Sequence, residues 1–400
     1  MPTAQTRRRF VAALSLAAAG GLIRPSPAAR AEGTPETTTL RLTRTPALCI
    51  APQYIAEELL RAEGFSDLRY VDTASATESA NAIGNDKADL SFDFVSAAII
   101  AIDAGQPITL LAGAMAGCVE LFAKEGLRTV ADLKGQRVGL RSLGATPHVL
   151  ASLMTAEVGL DPARDIDWVV DPKSTPIDLF VGGKVDVFVG NPPESLDLRA
   201  QRIGKVLVKT AVDRPWSQYF CCMLAGNREY VRKNPVAAKR ALRAILKAID
   251  FCAAEPESAT RRLVDRGFAP RYDYVLQTLR ENGYDKWREY DAEDTTRFYA
   301  LRLRETGFIK STPQRIIAEG YRLALFERAQ ARAEGLAKGE ETPDEDDANP
   351  TPVVGHVIDG RPRRGAAHSA RGRARTAAGD HDRAAGEAAR HLLRASVCVR

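Results

Sequence analysis

Histidine is scarce in this chain: of its five histidines, only His148 precedes residue 356. The chain has no G-x-S-x-G segment, no H-E-x-x-H segment and no C-x-x-C pair, and its six cysteines lack the spacing typical of a metal site. Nucleophilic catalysis needs a serine or cysteine with a base within reach. These absences argue against an enzyme, so we expect no catalytic residue, no metal and no cofactor.

A charge imbalance is also missing from the body of the chain. Residues 32–335 carry 40 Lys and Arg against 41 Asp and Glu, so the net charge of +5 comes from the two ends. Nothing in this balance suggests a nucleic-acid surface. The apolar run over residues 11–23 is shorter than the roughly 20 residues that a helix needs to span a bilayer, and no other segment is apolar enough to cross one. About 300 residues remain in the body, which predicts two domains.

The first residues have the pattern of an export signal. Three arginines in Thr6-Arg7-Arg8-Arg9-Phe10-Val11 precede an apolar run over Val11–Ile23, and Ala29-Arg30-Ala31 offers a small-x-small cleavage site. The alternative is a disordered basic N-terminus. The order of the three parts favours a twin-arginine signal peptide over residues 1–31, and hence a periplasmic protein. That compartment permits a disulfide such as Cys49–Cys118, which the sequence does not establish.

The middle of the chain alternates between strand and helix patterns. Short apolar strands and helical stretches follow each other from Thr39 to about residue 225, which predicts parallel βα units. From Arg228 the pattern is almost entirely helical, with an amphipathic helix expected over Asn234–Ala254. The fold class expected from the residues is therefore α/β.

Four segments carry a family resemblance. They are the proline-bearing loop Thr45-Pro46, the small-residue helix after ADLSFDF, the pair ADLKGQRVGLRSLGATPH and LFVGGKVDVFVGNPP, and NREYVRKNPVAAKRALRAILKAIDF. In this order they resemble periplasmic substrate-binding proteins of ABC transporters, of the nitrate/sulfonate/taurine type, a group that includes thiamine-precursor binders.

This resemblance implies a type II periplasmic-binding-protein fold with two lobes, a hinge cleft and two chain crossovers. Lobe 1 would comprise residues 38–125 plus 226–335, and lobe 2 residues 126–225. The protein would hold a small molecule between the lobes, close by hinge motion and deliver it to an ABC permease in the inner membrane with its cytoplasmic ATPase. We expect a monomer that binds no nucleic acid.

The strongest site candidate is the loop that includes Ser142, Gly144, Ala145 and Thr146. It joins a buried strand to a helix that should begin at Pro147 with Thr146 as its cap. Free backbone N–H groups and the helix dipole favour an anion there. The alternative is an ordinary capped loop.

Strand ends in lobe 1 should form the opposite wall. Thr45 and Pro46 follow the first strand, and Asp93 and Phe94 close another. Ligands bind beyond the carboxyl ends of parallel strands. Of Phe92 and Phe94, one should face the core and Phe94 is the candidate for the pocket wall.

Asn191 falls where the resemblance places a ligand-reading side chain. Many relatives carry a carboxylate there beside one proline, whereas this chain has Gly190-Asn191-Pro192-Pro193. A neutral amide with a helix N-terminus favours a sulfonate, a carboxylate or another oxyanion.

Four further side chains have two interpretations each. Trp216 is expected to stack on the ligand or to pack in the core. His148 is expected to contact the ligand or to lie at a cap or on the surface. Arg141 and Arg214 would clamp an anion or carry solvated charge.

Two other functions remain open at this point. A ligand sensor for a membrane receptor would share fold and leader. A thiamine-precursor synthase also has this fold, but such enzymes are cytoplasmic and use histidine-rich sites.

The tail differs in composition. Glu340–Asp347 contains six acidic residues in eight, and Arg361–Arg400 contains ten arginines and no lysine, which predicts disorder over residues 336–400. We hypothesise a reading-frame shift near Gly320, because Tyr321–Gly335 read one base later can encode an amphipathic helix. Resequencing the gene tests this.

Overall fold

The computed structural model of this chain describes residues 33–320. The predicted signal peptide, the tail over residues 336–400 and the segment Tyr321–Gly335 lie outside these residues. Between residues 33 and 320, no helix is both long enough and apolar enough to span a membrane.

The described residues form strands and helices in alternation up to residue 227 and helices thereafter. The strands are β1 (Thr39–Arg44), β2 (Asp67–Asp72), β3 (Leu90–Phe94), β4 (Ile108–Met115), β5 (Glu120–Ala123), β6 (Arg137–Leu140), β7 (Asp167–Val170), β8 (Val187–Gly190), β9 (Lys205–Lys209) and β10 (Cys222–Asn227). The α-helices are α1 (Ala51–Ala62), α2 (Ala76–Gly84), α3 (Val95–Asp103), α4 (Thr146–Glu157), α5 (Pro176–Val181), α6 (Glu194–Gln201), α7 (Arg228–Lys233), α8 (Pro235–Ala254), α9 (Pro256–Asp265), α10 (Tyr272–Glu281), α11 (Ala292–Glu305) and α12 (Pro313–Gly320).

Two five-stranded sheets have the same topology. The first has the order β2-β1-β3-β10-β4, and the second has the order β7-β6-β8-β5-β9. In each sheet the first three strands are parallel, and the fourth is antiparallel to both of its neighbours. We call the part built on the first sheet lobe 1 and the part built on the second sheet lobe 2. The expected α/β fold with two lobes and two crossovers is confirmed.

The crossovers lie a few residues from the expected boundaries. Residues 120–123, expected in lobe 1, pair with β8 and β9 in the second sheet. Residues 222–225, expected in lobe 2, pair with β3 and β4 in the first sheet. Each lobe thus takes its antiparallel strand from the segment next to a crossing. The pattern of a strand alone does not reveal which sheet the strand joins, because its sheet depends on which distant strands it pairs with.

The two crossing segments are bonded to each other. The Thr210 backbone N–H and hydroxyl both donate to the Val119 carbonyl at 3.0 Å. The Val119 N–H in turn lies 3.0 Å from the Thr210 hydroxyl oxygen. Gly117 has a φ of +64°, and a β-carbon there would lie 2.3 Å from the backbone nitrogen of Ala211. Only glycine permits this close passage of two backbones.

Burial explains why these segments form a core. Every residue of β3 and β4 is buried, as expected for strands covered on both faces. The helix expected over Asn234–Ala254 is confirmed as α8, whose buried residues recur at three- and four-residue spacing and pack against α1. Helices α3, α11 and α12 also pack on one another, so the helical segment after residue 228 completes lobe 1.

Candidate functional site

A buried polar network lies at the carboxyl edge of the first sheet. The Thr45 hydroxyl lies 3.0 Å from the hydroxyl oxygens of Thr73 and Ser79 and donates to Asp93 Oδ2 at 3.0 Å. Sequence reasoning expected Thr45 to face the ligand. In the structure its hydroxyl is used instead to position the carboxylate of Asp93.

Asp93 is nearly enclosed by lobe 1. Burial raises the pKa of its carboxyl group to about 6, against the opposing effect of the Phe94 backbone N–H, which donates to Asp93 Oδ1 at 2.9 Å. Asp93 and Phe94 line a small internal cavity of about 10 Å³, room for one water molecule. The carboxyl group can therefore change protonation state near neutral pH.

Phe94 does not form an open pocket wall. Its side chain is 8 % exposed, and both Phe92 and Phe94 belong to the core cluster. The expected division of these two rings between core and pocket is wrong, because helix α3 begins at Val95 and covers the end of the strand.

Pro46 lies instead beside a larger open cavity of about 710 Å³. One side is aromatic, where the rings of Tyr54 and Phe268 stack with centroids 4.6 Å apart. Another side carries the ion pair between Arg44 Nη2 and Asp72 Oδ2 at 2.9 Å. This cavity adjoins the carboxyl ends of β1 and β2, the region where parallel sheets bind ligands.

In lobe 2, the loop after β6 leads into α4. Ser142 and Gly144 are exposed, and Gly144 has a φ of +81°. The Gly144 backbone N–H donates to His148 Nδ1 at 2.9 Å, which makes that nitrogen an acceptor. Burial lowers the pKa of His148, in agreement with a neutral imidazole. The Gly144 N–H, which was expected to be free for a ligand, is therefore already bonded to His148.

The start of α4 differs from its prediction. The helix begins at Thr146, and Ala145 occupies the N-cap position without a side-chain cap. Thr146 already has helical backbone geometry, so its hydroxyl is not the predicted cap. That hydroxyl is buried and has no hydrogen-bond partner within residues 33–320. A buried donor without a partner is costly, and here it lies at the positive end of a three-turn helix.

His148 lies at the junction of the lobes. Its ring makes edge contacts with Trp168 of β7 and with Phe308, which follows α11, at centroid distances of 4.6 and 5.4 Å. Farther along α4, Glu157 pairs with Arg302 of α11 at 2.8 Å. Helix α4 thus belongs to lobe 2 and rests on α3 and α11 of lobe 1.

The loop after β8 contains a carboxylate that sequence reasoning missed. Asn191 is half-buried, and its Nδ2 donates to the Pro192 carbonyl at 3.1 Å. Glu194 begins α6, and its Oε2 lies 3.5 Å from the position that a β-carbon on Gly190 would take. Burial raises the pKa of Glu194, and Arg141 opposes that shift. A carboxylate is therefore present near the end of β8, three residues after Asn191.

Trp216 packs in the core. It is 4 % exposed and contacts the Phe298 ring edge-on, with centroids 5.8 Å apart. Of its two interpretations, the structure agrees with core packing. Arg141 and Arg214 are both exposed, and Arg141 acts at a distance on Glu194.

A second contact between the lobes is ionic. Arg199 of α6 donates two hydrogen bonds to Glu281 of α10, each at 2.9 Å, and one to Glu120 at 3.0 Å. Lys209 of β9 also binds Glu281. Burial alone would raise the pKa of Glu281, but hydrogen bonds from Arg199 and Lys209 lower it to about 2. Glu281 is therefore charged at any physiological pH.

Comparison with known proteins gives a consistent result. A family model described as NMT1/THI5 like matches residues 50–259, about half of the chain. A Brucella abortus protein that carries only the general name of a binding protein is 27 % identical over 139 residues. That match covers 35 % of this chain and 43 % of the relative, so the chain spans less than half the length of the curated relatives it matches.

Solved structures resemble this one over most of the described residues. The periplasmic nitrate-binding protein NrtA from Synechocystis PCC 6803 has a TM-score of 0.63 at 17 % identity, covering 78 % of this chain and 92 % of NrtA. The alkanesulfonate-binding protein SsuA from Xanthomonas axonopodis, bound to MOPS, has a TM-score of 0.57 at 17 % identity, covering 72 % and 99 %. The periplasmic aliphatic sulphonate-binding protein SsuA from Escherichia coli has a TM-score of 0.56 at 19 % identity, covering 70 % and 91 %. At these identities the likeness shows a common fold.

Proposed function

Since the chain belongs to the NMT1/THI5-like family, we propose that it is the periplasmic solute-binding component of an ABC importer. It captures a small ligand between its lobes and delivers the ligand to an inner-membrane permease that a cytoplasmic ATPase drives. The similar solved structures named above are binding proteins and not enzymes, which supports a role without catalysis.

The observation that carries this proposal is the placement of Thr146. Its hydroxyl is buried and without a partner at the N-terminus of α4, the helix of lobe 2 that rests on lobe 1. A bound oxyanion would accept hydrogen bonds from that hydroxyl and from the first free backbone N–H groups of the helix. The helix dipole would add to the attraction. Ser142 and Gly144, which are exposed, and the half-buried Ala145 form the approach to the same point.

The carboxylates narrow the ligand class. Asp93 lies near the carboxyl end of β3, and Glu194 lies beside the carboxyl end of β8. In their ionised forms these groups disfavour a bare inorganic anion and favour a ligand that also carries an amine. We therefore assign an amino-sulfonate of the taurine type ahead of nitrate, with Asn191 and Pro46 completing the surroundings.

Export and assembly complete the proposal. The twin-arginine pattern of residues 1–31 supports export of the mature chain to the periplasm, and we expect it to act as a monomer. Deleting the gene should abolish uptake of the bound compound by the native host. If the deletion strain still takes up the compound but no longer changes its transcription in response to it, the protein is a sensor instead.

Matched ligands test the site chemistry on the purified full chain. Taurine, ethanesulfonate and ethanolamine separate the sulfonate from the amine, and nitrate, aromatic carboxylates and pyrimidines complete the panel. A ligand at 100 times its Kd adds about 2.7 kcal/mol to the free energy of unfolding. We expect the largest rise in Tm with taurine and a smaller one with ethanesulfonate. Binding of ethanolamine or pyrimidines alone would overturn the oxyanion assignment.

A matched pair of variants tests the position. Thr146→Val removes the unpartnered hydroxyl and keeps the side-chain shape, so taurine affinity should fall at least tenfold. Thr155→Val makes the same change on the same helix, where the hydroxyl donates to the Ala151 carbonyl at 2.9 Å. Equal affinities of the two variants would contradict the assignment.

A further inference from the structure

Four buried cysteines meet where the two crossing segments enter lobe 1. The sulfur atoms of Cys49, Cys118 and Cys222 all lie within 4.8 Å of one another. Cys221 joins them, with its Sγ 4.0 Å from Cys118 Sγ. All four residues are at most 4 % exposed. Their spacing in the sequence gave no sign of a metal site, because they come from three separate segments.

Each segment has a different place in the fold. Cys49 lies in a short 3-10 helix, Leu48–Ile50, that follows β1. Cys118 lies in the first crossing, between β4 and β5, and Cys221 and Cys222 lie where the second crossing enters β10. The Cys49 carbonyl is itself fixed by the Tyr284 hydroxyl at 2.6 Å. The four thiols thus connect the end of β1 with both links between the lobes.

The fifth buried cysteine shows how an isolated thiol behaves in this protein. Cys252 lies on α8, and burial alone raises its pKa to about 12, as expected of a small apolar side chain. In the cluster, by contrast, each thiol has another sulfur within 4.8 Å. A single cation can therefore reach several of these cysteines at once, and the thiolate is the form that binds it.

From this geometry we propose that Cys49, Cys118, Cys221 and Cys222 form a binding site for one thiophilic cation of the Zn²⁺ class. Sulfur ligands select such soft or borderline cations over Mg²⁺ and Ca²⁺. A Zn–S bond of about 2.3 Å makes the edge of a ZnS₄ tetrahedron about 3.8 Å. The Cys118–Cys221 distance of 4.0 Å is close to that edge. The sulfurs of Cys49, Cys118 and Cys222 lie within 4.8 Å of one another, so within this group the approach needed is about 1 Å at most.

The bound cation would hold the crossing segments to lobe 1. It would balance the charge of the buried thiolates, which otherwise lack water. Cys118 and Cys221 sit on the two segments that must bend when lobes move, so the cation would stiffen the lobe 1 side of the hinge. This inference does not depend on the ligand proposed above.

Metal titration of the full chain tests the site directly. The chain is purified with a reductant, stripped with a chelator and titrated with Co²⁺ and then Zn²⁺. We expect one equivalent of Co²⁺ to give sulfur-to-cobalt charge-transfer absorption, and one equivalent of Zn²⁺ to displace it and raise the Tm. Cys118→Ser should abolish the absorption, whereas Cys252→Ser should leave it unchanged. Absorption that survives in Cys118→Ser, or none in the unmodified chain, overturns the proposal.

A measurement on the unmodified chain covers the case in which a variant fails to fold. X-ray absorption at the zinc edge of the zinc-loaded chain should show three or four sulfur ligands at about 2.3 Å. A shell of only nitrogen and oxygen would mean adventitious zinc and would overturn the proposal. A second result would also overturn the proposal: mass spectrometry without reductant finds a disulfide between Cys118 and Cys221, and the reduced chain takes up no metal.

Discussion

His148 Nδ1 accepts the backbone N–H of Gly144 at 2.9 Å, and this hydrogen bond closes the loop between β6 and α4 onto its own helix. The same ring touches Trp168 in lobe 2 and Phe308 in lobe 1. One neutral imidazole therefore shapes the proposed ligand loop and contacts both lobes. It needs to stay unprotonated to do so, because a protonated imidazole has no acceptor.

The protonation of His148 gives a pH prediction. Its folded pKa is below the unfolded value, so its contribution to stability is present above pH 6.5 and is lost as pH falls from 6.5 through the folded pKa. His148→Phe keeps a ring in this place and removes the titration. The difference in free energy of unfolding between wild type and variant should shrink between pH 7.5 and pH 5, measured by urea unfolding. A difference that is constant with pH would contradict this account.

Asp93 should have the opposite pH dependence. Its folded pKa is raised to about 6, so the ionised form destabilises the fold and wild type gains stability as pH falls from 6 toward 4. Asp93→Asn should be more stable than wild type at pH 7, by on the order of 2–3 kcal/mol, with no difference below pH about 4. Urea unfolding from pH 4 to 8 measures both.

Asp103→Asn provides the control for Asp93. Asp103 accepts the backbone N–H groups of Lys310 and Ser311, and these bonds lower its pKa although burial opposes them. Its stabilisation is therefore present at neutral pH and is lost on acidification, so this variant should be less stable than wild type at pH 7. Two variants that shift stability in the same direction would contradict the assigned environments.

The fold was largely predictable from local patterns. Alternating apolar strands, glycine ends and the amphipathic period of α8 identify the elements and the α/β class. The sheet membership of β5 and β10 was not predictable. Both are short apolar strands beside a crossing, and only pairing with distant strands decides which lobe each one joins.

The sequence indicated which residues to expect near a ligand site, and not the contacts that they make. Asp93, Thr146 and Asn191 were expected there because they lie at or shortly after strand ends, where parallel sheets bind ligands. Sequence did not show that the Thr146 hydroxyl lacks a partner or that Glu194 reaches back over Gly190. The cysteine cluster was invisible for the same reason, since its members are far apart in the chain. Side-chain direction and long-range contact decide all of these features.

The passage of the two crossings at Gly117 gives a third prediction. Gly117→Ala places a β-carbon 2.3 Å from the Ala211 nitrogen and also strains a φ of +64°. Gly183→Ala introduces comparable strain at a φ of +68° but meets open space. We expect Gly117→Ala to lower the free energy of unfolding by about 1–3 kcal/mol more than Gly183→Ala, from the collision alone. Equal losses in urea unfolding would mean that the crossings do not lie this close.

Glu281 gives the last prediction, on the ionic contact between the lobes. Its carboxylate binds Arg199 and Lys209, and those bonds lower its pKa to about 2 although burial opposes them. Its folded pKa is thus depressed, so its stabilisation is present above pH 4.5 and is lost as pH falls toward 2.

Glu281→Gln should therefore lower the free energy of unfolding at pH 7 by about 1–2 kcal/mol, because Arg199 and Lys209 keep only Glu120 as a charged partner among the described residues. The side chains of this contact are 23–28 % exposed, so solvent screens part of the attraction. Glu257→Gln removes one partner of the exposed pair with Arg280 and should change the free energy of unfolding much less, because solvent screens this pair. Urea unfolding at pH 7 and pH 3 measures both variants. If they lose the same stability at pH 7, the contact across the lobes contributes no more than a surface pair.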